Sequence, residues 1–500
     1  MDTIGLLIQG FSVALQPSNL LFCVIGVVVG TLVGALPGLG PTGATAMLLP
    51  MTYKLDPAGA LIMLAGIYYG TQYGGALTSI VAGVPGESAA VMTAIDGYKL
   101  AQQGKAGKAL GIAAVCSFAG GTLSVIGLMF FGPALAKGAL LFGPTETFAV
   151  MLMSFSLITS FSGKSAIRGF ISMVIGLMLA LVGQDIITGV PRMTFGMFEL
   201  YEGIDFLPVG LGIFGLSEAM KSFEEGEVVD LSNANLHWRD VLPNWADIKR
   251  CIPTTIRGSI LGFFVGVLPG LGATIASFMA YGVEKKVSKH PETFGEGEIQ
   301  GIAAPEAANN ASTGGAMIPM FSLGIPGGTT TAVLLGALMM FGLRPGPRIF
   351  SESSSIVWGM IASMYLGNVM LVLINVGCIP WLCKAIKKAS PYMLIIILLL
   401  SIYGVHSLRN NVVDLTIMLI SAFAGYFMDK MDIPKAPLML ALLLGSKLEQ
   451  SFRLSLTLSN GSFGIFFGST TSKVCMIFTM ISVIWSIIGA VRTKREVKEV

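Results

Sequence analysis

Charged side chains are scarce in this sequence. Lys and Arg total 31 and Asp and Glu total 28 among 500 residues, or 12%. Soluble domains carry about 25%, so a soluble globular fold is excluded. Histidine is scarcer: His237, His290 and His406 stand far apart and no HExxH occurs, which excludes a zinc centre of that type. The six cysteines (Cys23, Cys116, Cys251, Cys378, Cys383, Cys475) fall mostly in apolar runs and have no metal-ligand spacing, so they read as reduced packing residues. The stretch SGKS at Ser162–Ser165 has Ile158 where a phosphate-binding loop needs Gly, which excludes an ATPase. No paired acidic motif and no nucleophile–base pair marks a hydrolytic centre, so an enzyme is not expected, nor any cofactor. The net charge of +3 implies nothing about nucleic acid. The start, MDTIGLLIQGFSVALQP, lacks a basic n-region, so a cleaved signal is not expected. Residues 1–18 read instead as an amphipathic helix at the membrane surface.

Apolar residues make up 53% of the chain. They form long runs, among them Leu110–Phe131, Ile356–Ile379, Val412–Phe427 and Val474–Val491. A membrane-spanning helix needs roughly 20 mostly apolar residues. The runs predict an all-α polytopic membrane protein with about 11–14 membrane segments. A β-barrel is excluded, because barrel strands alternate over ~10 residues.

The chain repeats itself. GTLVGALPGLGPT at Gly30–Thr42 matches GFFVGVLPGLGAT at Gly262–Thr274 at nine of thirteen positions, and Gly38 to Gly270 is 232 residues. GGALTSIVAGVPG at Gly74–Gly86 matches GGAMIPMFSLGIPG at Gly314–Gly327 in the same order, and Pro85 to Pro326 is 241 residues. One duplicated membrane domain follows: a first half over 19–217, a hydrophilic cytoplasmic connecting loop over 218–253, a second half over 254–491 and a basic cytoplasmic tail over 492–500. Basic loop residues fall at different points in the copies. Lys99, Lys105 and Lys108 follow the second motif of the first copy, whereas Lys285, Lys286 and Lys289 sit between the motifs of the second. Cytoplasmic loops are the Lys/Arg-rich ones, so the pattern favours two inverted repeats.

Each copy breaks its helices twice. Pro37-Gly38-Leu39-Gly40 and Pro269-Gly270-Leu271-Gly272 remove a backbone donor and permit unusual dihedrals. Backbone freed inside a membrane is tolerated only where protein buries it or a wet cavity receives it. Matching broken helices in two repeats point to a transporter's binding site. A kink with close glycine packing is the alternative. Gly83-Val84-Pro85-Gly86 and Gly324-Ile325-Pro326-Gly327 are the second pair of breaks, followed by Ser88 and Thr329. Each can start a helix whose amides receive an anion, or whose hydroxyl caps it. The expected substrate-binding residues are Pro37, Gly38, Gly40, Thr42, Gly83, Pro85, Gly86 and Ser88, with Pro269, Gly270, Gly272, Thr274, Gly324, Pro326, Gly327 and Thr329.

The most polar stretch in apolar surroundings is AAPEAANNASTGGA at Ala303–Ala316. Glu306, Asn309, Asn310 and Thr313 follow i, i+3, i+4, i+7 spacing and share one helix face. With Ser312, their neutral oxygens suit a hard cation such as Na+, and Glu306 can carry a proton instead. Hydrogen bonding between helices is the bland alternative. These five residues are the expected coupling-cation set, for Na+ or H+.

The motifs LPGLGPT, GVPGES, APEAANNA, LGIPGG and GLRPGP, with GVPRMTFG at Gly189–Gly196 and GSKLEQSFRLSL at Gly445–Leu456, resemble the large membrane subunit of the tripartite tricarboxylate transporters. They cover most of the chain in the family's order. One departure lies near the C-terminus, where GIFFGSTTSK stands in place of the family's frequent Arg-Pro. The resemblance implies a multi-pass protein of the bacterial inner membrane. It implies secondary, cation-coupled uptake of a carboxylate and an elevator-like motion. It also implies two partners: a small membrane subunit and a periplasmic solute-binding protein. A passive channel or exchanger on the same scaffold, and a membrane-embedded enzyme acting on lipid, are the rival expectations.

Overall fold

The computed structural model describes residues 3–36, 40–161, 165–185, 188–225, 238–379 and 411–496, with isolated positions between 381 and 406. The first half runs through α1 (Thr3–Ala14), α2 (Pro17–Gly34), α3 (Gly40–Leu48), α4 (Pro57–Val81), α5 (Val91–Gln102) and α6 (Ala106–Ala139). It continues through α7 (Pro144–Phe161), α8 (Ala166–Ala180), a two-residue hairpin pairing Gly183–Gln184 with Pro191–Arg192, α9 (Phe206–Gly210), a π-helical turn Leu211–Leu216 and α10 (Ser217–Glu225). The second half comprises α11 (Trp245–Val267), α12 (Gly272–Val287), α13 (Ile299–Leu323), α14 (Thr329–Met340), the single turn α15 (Ile349–Glu352) and α16 (Ser354–Gly377). After 411 come α17 (Val412–Lys430), α18 (Lys435–Leu458) and α19 (Thr470–Glu496). The expected all-α polytopic fold is borne out.

Among the described residues, four helices, α2, α6, α16 and α17, are long and apolar enough to cross a bilayer. α4 and α13 are as long, at 25 residues each, about 38 Å at 1.5 Å per residue. Their small and polar residues lower their hydropathy, which is affordable because protein buries almost every position of both. These two helices form the centre of the molecule.

Glycine stripes set how closely the outer helices approach. On α2, Gly26, Gly30 and Gly34 lie against the backbone carbonyls of Met63, Ile67 and Thr71 on α4. On α11, Gly258, Gly262 and Gly266 lie against the carbonyls of Ala304, Ala308 and Ser312 on α13. A Cβ at Gly30 would stand 2.6 Å from the Ile67 oxygen, and one at Gly258 would stand 2.7 Å from the Ala304 oxygen. Small residues at fourfold spacing are what let helices pack backbone to backbone in lipid.

The order helix, break, helix, long helix, break, helix therefore occurs twice, as α2 to α5 and as α11 to α14. The halves also exchange neighbours. α6 of the first packs along α13, and α16 of the second packs along α4. Asp96 on α5 adds a polar tie. Its Oδ1 accepts the N–H groups of Gly295, Gly297 and Glu298 at 2.8, 2.9 and 2.8 Å, and its Oδ2 accepts the Tyr281 hydroxyl at 2.9 Å.

Three segments differ from their expected limits. Within 218–253, α10 continues to Glu225, a 3-10 turn spans Trp238–Val241 and α11 begins at Trp245, while 226–237 falls outside the described residues. Asn244 Oδ1 accepts the Ala246 N–H at 3.3 Å and starts α11 early, so WADIKR forms polar first turns rather than loop. The surface helix expected over 1–18 spans Thr3–Ala14 and buries Gly10 against the Trp358 carbonyl of α16. Of the tail expected over 492–500, α19 extends to Glu496 and 497–500 fall outside the described residues. Cys23, Cys116, Cys251 and Cys475 are buried free thiols and Cys378 is an exposed one, while Cys383 lies outside the described residues.

Candidate functional site

The helix breaks position the site. Gly40 (φ +51°) opens α3, and Gly270 (φ +89°) with Gly272 (φ +63°) opens α12. Gly83 (φ +71°) ends the turn after α4, and Gly324 (φ +69°) caps α13 in the left-handed region. Only glycine enters these dihedrals without steric cost. Pro37 and Gly38 lie outside the described residues.

The breaks meet crosswise. Thr42 Oγ1, after the first break of the first half, is 2.7 Å from Thr329 Oγ1 and 2.9 Å from Thr330 Oγ1, after the second break of the second half. Thr274, the counterpart of Thr42, is 3.0 Å from the hydroxyl of Ser88, the counterpart of Thr329. Within the second half, the Gly270 N–H donates to the Gly327 carbonyl at 3.0 Å and ties its two breaks together. Residue i of one half thus touches j of the other, and j touches i, which is the signature of a two-fold contact.

A cavity of about 520 Å³ lies at this meeting point. Pro41, Thr42, Ser88, Gly270, Gly272, Thr274, Pro326 and Thr329 border it. Behind them Tyr68 and Gln72 of α4 and Ser312 of α13 form the wall. The opposite wall comes from Phe214 in the π-helical turn and from Asp429, Pro434, Lys435 and Met439 at the α17–α18 corner. The other predicted binding residues among the described ones do not line it. Gly86 is pressed between α2 and α4, where a Cβ would stand 2.7 Å from the Gly75 Cα. Gly327 is packed on Ala316 in the same way. Gly40, Gly83, Pro85, Pro269 and Gly324 build the turns rather than the wall.

The predicted cation set does not converge. α13 is buried around its whole circumference, so one polar face meets several neighbours. Asn309 Nδ2 donates to Glu87 Oε1 at 2.7 Å. Thr313 Oγ1 donates to Gln72 Oε1 at 3.0 Å, and Ser312 Oγ to its own helix at 2.7 Å. Glu306 turns elsewhere and accepts the hydroxyls of Thr93 at 2.5 Å and Ser117 at 2.7 Å, beside Tyr73 and Asn375. Asn310 Nδ2 donates to the Glu306 carbonyl at 3.1 Å. The Oδ1 atoms of Asn309 and Asn310 and the Gln72 Nε2 are buried without a hydrogen-bond partner.

Sequence reasoning assigned no role to Glu87, Tyr68, Gln72, Phe214, Asp429 or Lys435. Glu87 had a signal, as the acid directly after the GVPG break. Lys435 had a weaker one, a lone cation between Pro434 and Pro437. Its Nζ donates to Asp429 Oδ2 at 2.6 Å and to Ser217 Oγ at 2.8 Å. The cavity can therefore offer hydroxyls, a helix N-terminus at α14 and one ammonium group to a polar anion.

The family model described as the tripartite tricarboxylate transporter TctA family matches residues 20–440. An uncharacterized 52.8 kDa protein in the TAR-I ttuC′ 3′ region of Agrobacterium vitis is 39% identical over 499 residues, covering 99% of this chain and 98% of that protein. A protein in the TAR-II ttuC′ 3′ region of the same organism is 35% identical over 235 residues, covering 47% of this chain and 97% of that protein. No solved structure matches.

Proposed function

The chain belongs to the tripartite tricarboxylate transporter TctA family, and from that premise we propose that it carries a tricarboxylate or related organic acid by secondary active uptake. It is a multi-pass membrane component of a tripartite system. In the proposed reading it sits in the bacterial inner membrane beside a small membrane subunit, and a periplasmic solute-binding protein delivers the substrate. Na+ or H+ drives the uptake.

One observation carries this reading: helix breaks of both halves meet crosswise on one cavity of about 520 Å³. Small-molecule sites span ~300–1,000 Å³, and broken helices at a repeat interface are where transporters bind substrate. In this reading the Thr42, Ser88, Thr274 and Thr329 hydroxyls, the amides at the breaks and Lys435 hold the carboxylates. In this reading Ser312 on the cavity wall, Asn309 and Thr313 through Glu87 and Gln72, and Asn310 with its unpartnered Oδ1 support the coupling cation, while Glu306 is held away from it. The crosswise contacts support inverted repeats. The cavity has the paired breaks on one wall and the α17–α18 corner on the other, which supports an elevator-like movement between them.

The test is uptake into proteoliposomes that hold both membrane subunits, with the binding protein outside. A panel of di- and tricarboxylates is offered under imposed Na+ or H+ gradients. Accumulation against a gradient is expected for at least one acid. Uptake that continues at full rate after both gradients are collapsed would show a passive channel or exchanger instead.

A further inference from the structure

Three charged side chains line the cavity: Glu87, Asp429 and Lys435. Asp429 and Lys435 pair with each other at 2.6 Å. Glu87 is 7% exposed, and its hydrogen-bond partner is the neutral amide of Asn309. With Glu87 ionised, the lining carries one net negative charge, in the place where an anion is to bind.

The fold does not require that charge. The two-fold relation places Gly328 opposite Glu87, and there the break closes with no side chain at all. The surroundings are nevertheless built for Glu87. A Cβ at Gly75 would stand 2.9 Å from the Glu87 Cγ, so the bare backbone of Gly75 makes its room. The buried Gln72 amide beside it leaves Nε2 without a partner. An isolated buried carboxylate costs several kcal/mol unless a counter-charge arrives, and a substrate of the same sign raises that cost.

We propose that Glu87 takes up a monovalent cation, a proton or Na+, together with the anionic substrate, and is the residue that couples the two. This rests on the reading of the cavity as a carboxylate site. Tyr68 and Gln72 of α4 and Ser88 are uncharged, and on the opposite wall Lys435 pairs with Asp429 at 2.6 Å and is shared at 3.5 Å with Glu218 behind the lining. Glu306 of α13 is held by Thr93 and Ser117 outside the cavity wall. Loading at Glu87 brings the lining to neutrality before the substrate binds.

The full-length chain in detergent, wild type and Glu87→Gln, tests this. Gln keeps an acceptor oxygen for Asn309, and size-exclusion profiles check folding. The probes are ²²Na+, protons counted after a pH jump, and citrate. The wild type is expected to bind Na+ saturably or to take up a proton, and Glu87→Gln to lose that uptake. Citrate affinity should change about tenfold for a tenfold change in the driving cation, and become independent of it in Glu87→Gln. Glu87→Asp should keep the dependence. Which probe responds separates Na+ from H+. Cation uptake and cation dependence equal to wild type in Glu87→Gln would overturn the proposal. If the wild type binds no citrate, the substrate reading fails, and the Na+ and proton measurements on the unliganded chain still decide the role of Glu87.

Discussion

Replacing Asp96 tests how the two halves are held together. The Asp96 carboxylate is fully buried on α5 and accepts three N–H groups at the start of α13 plus the Tyr281 hydroxyl of α12. Hydrogen bonds to a charged group contribute roughly 1.5–3 kcal/mol each, and neutral ones about 1. Asp96→Asn keeps an oxygen for the three amides, and the Tyr281 hydroxyl can turn to accept from the new NH2. The loss is then charge assistance alone, about 1 kcal/mol for each of three bonds, or about 3 kcal/mol in all. Asp96→Ala removes the acceptor. The buried amide of Glu298 and the half-buried amides of Gly295 and Gly297 are left without that acceptor at up to about 1–3 kcal/mol each, so the loss exceeds that of Asp96→Asn and reaches at most about 9 kcal/mol. Thermal inactivation of the detergent-solubilised chain, followed by fluorescence-detected size exclusion, should rank wild type above Asp96→Asn and Asp96→Asn well above Asp96→Ala. Equal thermostability of the two variants would refute the reasoning, because it would mean that the accepting oxygen contributes nothing.

The other predictions concern the packing stripes and the cavity. Gly262→Val should abolish folded protein, since its Cβ overlaps the Ala308 carbonyl, whereas Gly282→Ala meets open space and should stay within about 0.5 kcal/mol of wild type; expression level and size-exclusion shape decide. Thr42→Val loses contacts to two hydroxyls and Thr274→Val to one, so thermostability should fall by about 1–2 kcal/mol in the first and by about half that in the second. Lys435→Met removes one positive charge from the cavity lining. At an effective dielectric of about 20 and a distance of roughly 8 Å this costs a bound anion about 2 kcal/mol, so the half-saturation for uptake should rise more than tenfold, and an unchanged value would remove Lys435 from the site. Asn310→Ala should abolish uptake while leaving the chain in the membrane, and full transport would end its assignment to the cation.

The breaks were legible in sequence because they violate helix chemistry twice in the same order. Pro-Gly at Pro269-Gly270 and at Pro326-Gly327 needs no neighbour to be noticed. The cavity wall was not legible for the opposite reason. Phe214, Asp429 and Lys435 come from elements outside the repeated stretches α2 to α5 and α11 to α14, and tertiary contacts of the π-helical turn with α3 and α17 and of α18 with α14 bring them to the breaks. The polar face of α13 shows a different limit. The spacing of Glu306, Asn309, Asn310 and Thr313 is helical, as expected. Periodicity assigns residues to a side of a helix, however, and a helix buried on all sides has several different neighbours on that side. Glu306 therefore reaches Ser117 on α6, while Asn309 reaches Glu87.

The crosswise contacts of the breaks also bear on why the cavity exists and why its charge is uneven. A two-fold contact such as Thr42 with Thr329 must recur as Thr274 with Ser88, so one favourable arrangement of breaks closes both sides of the pocket. An acid placed symmetrically would put two carboxylates into the same small space, and like charges this close disfavour each other. One half keeps Glu87 and the other keeps Gly328. Installing the missing acid as Gly328→Glu, in a chain that retains Glu87, should therefore be harmful beyond its bulk. Gly328 has open space, its nearest neighbour to a built Cβ being the Gly272 Cα at 3.9 Å, and its φ of −166° suits any residue. Gly328→Gln is then the control for size. Citrate binding should be weaker in Gly328→Glu than in Gly328→Gln, and the double variant Glu87→Gln with Gly328→Glu should regain part of the loss. Equal binding in Gly328→Glu and Gly328→Gln would show that charge at this end of the cavity does not matter to the anion.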